Sequence, residues 1–150
     1  MTIFQAPEYD PRKARRKKII ISVIIAVVVV VAFFGWWFRY YPEERIAAKF
    51  FADLQKQDYK AAYGVWIADP NWEQHPNSHS QYPFQDFYRD WGPGGEWGLI
   101  RTYRIDGVTR PSGSNGVVIL ATLNDRKEQT QVFIDLRDKT MSFSPFEVVQ

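Results

Sequence analysis

A chain of 150 residues without cysteine excludes disulfides, thiolate chemistry, zinc–thiolate sites and lipid attachment at a cysteine. Its formal charge of +2 is unevenly spread. Residues 1–18 hold six bases (Arg12, Lys13, Arg15, Arg16, Lys17, Lys18) against Glu8 and Asp10, a net of +4, whereas residues 39–150 hold 13 bases against 15 acids, a net of −2. The basic balance is thus a property of one tail and not a nucleic-acid footprint, and no nucleic-acid partner is expected.

Residues 2–11, with Phe4, Tyr9 and two prolines, read as an extended tail. The run Arg12–Lys18 reads as a topology signal with affinity for anionic headgroups, or as a docking site for a partner, the first being favoured. Residues 19–38, IIISVIIAVVVVVAFFGWWF, contain no charge and only Ser22 as a polar side chain. Twenty helical residues reach about 30 Å, the thickness of the bilayer hydrocarbon. The β-branched run suits a strand in water, but a lone segment in lipid must satisfy its own backbone and is therefore helical. Arg15, Arg16, Lys17 and Lys18 abut one end, and Trp36, Trp37, Tyr40 and Tyr41 mark the other as an interfacial belt. A cleaved signal peptide competes, with Val30 and Ala32 at the small-residue positions, but the apolar run continues through Phe38 and exceeds an ordinary h-region. The expectation is an uncleaved single-pass span with a cytoplasmic N-terminus. Small-residue pairs for helix association are sparse, at Ser22/Ala26 and Ala32/Gly35.

Residues 39–41 form the linker, too short to hold the following domain away from the membrane surface. Pro42, Glu43 and Glu44 start a helix, and Ile46, Ala47, Phe50, Phe51 and Leu54 give it one apolar stripe. Asp58 is an N-cap for a second, short helix with Tyr59, Ala62, Val65 and Trp66 on one face. Residues 69–83 read as a polar loop. Residues 84–91 suit a third helix with Phe84, Phe87, Tyr88 and Trp91 on an aromatic face, stopped by Gly92-Pro93-Gly94-Gly95. Strands follow at 99–108, 117–123 and 130–136, then a last one through Met141, Phe143, Phe146 and Val148, with Pro145 marking a bulge or an edge. Helices followed by a meander of about four strands make an α+β domain over residues 42–150, with two to three helices packed on one face of a curved antiparallel sheet.

Residues 43–66, with the core AAKFFADLQKQDYKAAYGVW, resemble the opening helix pair of the NTF2-like superfamily, and the likeness extends over about residues 42–149. The resemblance implies a cone of helices on a curved sheet, with room for a pocket. The layout of basic tail, single span and such a domain is similar to that of the VirB8-type secretion components and the Mce-associated membrane proteins, which are assembly and scaffold subunits. Beside that likeness, the very short linker, the absence of catalytic motifs and the aromatic loops point to a non-enzymatic accessory or assembly subunit of a larger bacterial inner-membrane complex. Its domain would be periplasmic or extracellular, and its partners the lipid bilayer and other complex subunits.

No cofactor or metal is expected. His75 and His79, near Glu73, have a spacing that would serve a metal only on a helix, which Pro76 opposes; the preferred reading is a solvated loop. The glycine cluster at 92–95 lacks the Lys-Ser/Thr ending of a phosphate cradle. Some NTF2-like relatives are isomerases or dehydratases, which makes Tyr63, Asp86, Tyr88, Tyr103 and Asp106 candidates for a Tyr–Asp site; the plainer reading is core tyrosines with satisfied hydroxyls. Tyr63, Trp66, Tyr88 and Tyr103 are the residues expected around a cone pocket taking a small molecule or lipid, the alternative function. Trp72, Trp97 and Trp91 are the expected partner-binding aromatics, Trp72 and Trp97 as surface-exposed anchors.

Overall fold

The computed structural model of the chain describes residues 11–75 and 78–146. The expected extended tail, apart from Pro11, lies outside them, as do Pro76, Asn77 and the last-strand position Val148. The chain forms two compact units that meet at Arg39 and Tyr40.

In the first unit, helix α1 spans Pro11–Trp37. Its 27 residues correspond to about 40 Å. It is long and apolar enough to cross a membrane, and none of its residues is buried by the protein. The basic run expected in a tail is helical and continuous with the apolar segment, so all six bases sit on the first two turns of one helix.

The second unit is α+β. Helix α2 (Tyr41–Gln55) carries Pro42 in its first turn with Glu43 and Glu44, where a missing N–H costs nothing and acids meet the positive helix end. The chain then reverses through Gln57 in the left-handed region (φ 61°). Asp58 caps α3 (Tyr59–Trp66) by accepting from the Ala61 N–H at 3.0 Å, one of the orphan donors of a helix start. A single 3₁₀ turn at Trp72–Gln74 interrupts the expected loop. Helix α4 (Phe84–Trp91) stops at Gly92, where the backbone turns extended (ψ −177°); a Cβ there would collide with the Tyr88 carbonyl oxygen, and one at Gly95 with that of Asp90. The two glycines let the chain fold back over the helix end.

Four strands follow as an antiparallel meander in the order β1-β2-β3-β4: Tyr103–Thr109, Gly116–Leu123, Gln129–Asp135 and Met141–Phe143. Strand β1 starts four residues later than expected, since Trp97–Arg101 is held by a side chain instead of a ladder. Asn124 accepts from the Arg101 N–H at 2.7 Å and donates to the Leu99 carbonyl at 3.0 Å. The last strand ends at Phe143 instead of running on through Phe146. Ser144 closes a local turn with Phe146, and the Phe146 ring packs 6.0 Å from that of Phe133.

Strand β2 is buried along its whole length, which explains its continuous apolar run. Val117, Ile119, Ala121 and Leu123 face the main core with Val132, Ile134 and Met141. Val118 and Leu120 lie on the opposite face with Phe133, under Phe146. The main core is closed by aromatic rings from the helices. Phe50 lies 5.1 Å from Phe51, 5.3 Å from Trp66 and 5.1 Å from Trp91, and Trp66 lies 6.0 Å from Phe87. Two polar ties join distant segments. Glu43, 3% exposed, is paired with Lys139 at 2.6 Å, joining the start of α2 to the β3–β4 turn. Asp106 occupies a bulge in β1, between the pairs Ile105↔Ala121 and Gly107↔Leu120. Its carboxylate accepts from Thr122 at 2.5 Å, Arg104 at 2.7 Å and Gln129 at 2.8 Å, stitching three strands.

Replacing Phe50 by Ala should remove about 3–5 kcal/mol of stability, read as a lower urea midpoint of the tryptophan fluorescence transition. The Thr122 hydroxyl first, and Arg104 next, hold the Asp106 carboxyl below its ordinary range. A depressed folded-state pKa contributes stability that is complete above the unfolded value of about 3.9 and is lost as pH falls through the folded value. Asp106→Asn should therefore be less stable than wild type at pH 7 and lose less than wild type on going to pH 3, measured by urea midpoints at both.

Candidate interaction surface at the sheet edge

Among the described residues strand β4 is the last of the sheet, and it is short because Pro145 follows two residues after it. The Thr140 carbonyl accepts from Asp135 and the Ser144 N–H donates to Gln131. Residues 140, 142 and 144 thus turn their backbone groups to β3, and Met141 and Phe143 turn theirs to the open edge.

Phe143 is 50% exposed, yet it is held in place by its neighbours. Its ring is parallel to Trp91 at 5.8 Å and lies 5.2 Å from Trp66 and 6.2 Å from Tyr82. It borders two grooves. One, of about 240 Å³, is lined by Trp66, Tyr82, Met141, Ser142 and Phe143 and is almost wholly apolar. The other, of about 350 Å³, adds Arg89, Asp90, Glu96 and Trp97. Tyr82 stands between them, donating its hydroxyl to Asp90 at 2.9 Å while its carbonyl accepts from the Tyr63 hydroxyl at 2.7 Å. Burial, and then the Asp90 carboxylate, push the Tyr82 phenol well above its ordinary value, so it is a fixed donor at any physiological pH. The surface is an apolar ledge with a polar back wall: β4 supplies the edge, α3 and α4 the floor, and the glycine turn after α4 the far rim.

Of the three expected partner-binding aromatics, Trp91 and Trp97 are inside. Trp91 is 1% exposed, and its indole N–H has no acceptor among the described residues. Trp97 is 9% exposed, under the Arg126 guanidinium at 5.6 Å from its ring, which corrects its reading as a surface anchor. Trp72 is half-buried, donating to the Lys60 carbonyl at 3.2 Å and stacking on Phe84 at 5.2 Å. The residues expected around a cone pocket are dispersed. Tyr63 and Trp66 are buried in the aromatic cluster, Tyr88 is 45% exposed beside Tyr59, and Tyr103 stacks on Phe51 at 5.8 Å. Trp66 borders the first groove at the sheet edge; Tyr63, Tyr88 and Tyr103 border neither.

The Tyr–Asp candidates do not converge. Asp106, through Thr122, is on the sheet face opposite Tyr103, and Asp86 pairs with Arg89 at 3.0 Å. His75 and His79 share one carboxylate, Asp69, at 3.1 and 3.4 Å, while Glu73 turns to Lys60 at 2.6 Å. Among the described residues no group of three or more such side chains is arranged to hold a metal ion. Phe143, Tyr82 and Asp90 were not singled out from the sequence. Tyr82 precedes Pro83 and Asp90 lies in the last turn of α4, with no spacing that announces their pairing.

Phe143→Ala should cost clearly less than Phe50→Ala, about 1–2 kcal/mol, because half of the ring is already in water; urea midpoints of the two variants, side by side, provide the check. Compared with family models, with curated proteins and with solved structures, the chain matches none.

Proposed function

We propose that this protein is a non-enzymatic accessory subunit of a bacterial inner-membrane complex. It is anchored by α1 with its N-terminus in the cytoplasm, and it binds a partner subunit along β4 through an NTF2-like domain on the other side of the membrane. The observation that carries the reading is Phe143: a large apolar side chain, half in water, fixed by stacking, flanked by grooves and placed on an open strand edge. Large rigid aromatics with apolar surroundings are what binding surfaces place at their centres, and an open edge accepts an extended partner segment through backbone hydrogen bonds. The anchor is supported by the length and apolarity of α1 and by its large apolar side chains, all about half exposed or more, which water would not tolerate as one band. Its orientation is supported by the six bases at its first end. The cone is supported by the order of helices and meander. The rings of Phe50, Trp66, Phe87 and Trp91 stand between helices and sheet, which favours a surface function over an interior pocket.

The test is affinity purification of the tagged full chain from its native membrane in mild detergent, with mass spectrometry of the co-purifying subunits. A stoichiometric set of membrane proteins is expected with wild type and with Tyr88→Glu. Phe143→Glu should lose it, since removal of a central aromatic costs about 2 kcal/mol or more, roughly 30-fold in affinity. Isolation of the wild type alone, or an undiminished set with Phe143→Glu, contradicts the proposal.

A further inference from the structure

On the helical side of the domain a third groove, of about 350 Å³, runs between α2 and α3. Its floor includes Ile46, Val65 and Ala68, and its rim carries Lys49, Lys60 and Lys139. Among the described residues the lining holds three lysines and no acid. Each ammonium has one carboxylate partner set back from the groove: Asp53 for Lys49 at 2.8 Å, Glu73 for Lys60 at 2.6 Å and Glu43 for Lys139 at 2.6 Å. An ammonium has three donors, so each keeps two for a ligand. The Lys49 and Lys60 side chains are 62% and 67% exposed; the Lys60 pair, whose Glu73 is exposed as well, holds its partner weakly. The Lys49 and Lys139 pairs differ, because Asp53 and Glu43 are buried.

We infer that this groove binds the phosphate headgroup and the upper acyl chain of an anionic phospholipid from the bilayer. Three facts select that occupant. The lining pairs an apolar floor with cationic donors on one rim, the complement of an anionic amphiphile. The volume is at the small end of ligand sites, about 300–1,000 Å³, so it takes a headgroup and a few methylenes while the remaining tails need another apolar phase. The third fact rests on the anchor reading given above. Only residues 38–40 separate α1 from α2, so the chain keeps the domain in a region where lipid is concentrated and free amphiphiles are scarce. The site is distinct from the ledge at Phe143 and shares no lining residue with its two grooves.

The experiment uses the purified full chain reconstituted into phosphatidylcholine vesicles. These contain a trace of either phosphatidylglycerol or phosphatidylcholine carrying a diazirine near the glycerol end of one acyl chain. After photolysis, adducts are mapped by mass spectrometry. Adducts on α1 report the anchor, and adducts over residues 46–70 report the groove. The expected result is labelling of α1 by both probes, and labelling of 46–70 at least fivefold stronger with phosphatidylglycerol. That selectivity should fall to near unity in the Lys49→Gln/Lys60→Gln double variant, with α1 labelling unchanged. Lys139 is kept because Glu43 is the more deeply buried carboxylate, 3% exposed against 9% for Asp53, and Lys49→Gln keeps a donor for Asp53. Labelling of α1 without labelling of 46–70, equal labelling by the two probes, or selectivity that survives the double variant overturns the groove assignment and leaves the anchor standing. Absence of labelling on α1 overturns the anchor reading and the groove assignment with it.

Discussion

The folded unit depends on one aromatic layer. Phe50 and Phe51 from α2, Trp66 from α3, and Phe87 and Trp91 from α4 meet between the helices and the sheet, each within about a ring's width of the next. Short helices of eight residues, as α3 and α4 are, do not persist in water on their own; they hold because each contributes one or two of these rings to a shared interior. Edge-to-face contacts dominate, as the ring quadrupole favours, and they fix orientation as well as distance. The layer therefore sets the position of everything at its margin. Phe143 stacks on Trp91 and Trp66, so the open edge of the sheet inherits a rigid apolar ledge from the core.

A filled interior moves the question of function outward. Nearly all large apolar side chains of the α+β unit are consumed by packing. The exceptions among the described residues are Tyr41, Tyr88 and Phe143, and of these Phe143 combines fixed geometry with flanking grooves. Among the polar groups near it, Tyr82 and Asp90 form a pair that shapes a wall. The lysine-rimmed groove lies elsewhere, between α2 and α3. One domain thus presents two chemically different surfaces, one apolar at a strand edge and one cationic over an apolar floor.

Element identity was readable in the sequence wherever period and punctuation agreed. The stripe Ala47, Phe50, Phe51, Leu54, the Asp58 cap, the stop at Gly92 and the central apolar strand at 117–123 all follow local rules, and the α+β order with it. What escaped the reading depends on partners far along the chain. Glu43 looked like a helix-dipole acid and is a buried partner of Lys139, 96 residues away. Asn124 takes over residues 97–101, so the strand expected from 99 begins at Tyr103. Trp97 flanks a glycine turn, which suggested exposure, but Arg126 and the fold-back over α4 cover it. Phe143 was placed in a strand correctly, yet no local signal distinguishes an edge residue on a ledge from a core residue.

The most direct test of the edge as the working surface is hydrogen–deuterium exchange of the full chain, measured in its native membrane assembly and again after isolation in detergent. The account predicts that protection gained in the assembly concentrates on residues 141–146 and the turn at 92–97, with the helical core residues equally protected in both. Protection gained instead over residues 69–82, or none gained at the sheet edge, would contradict it.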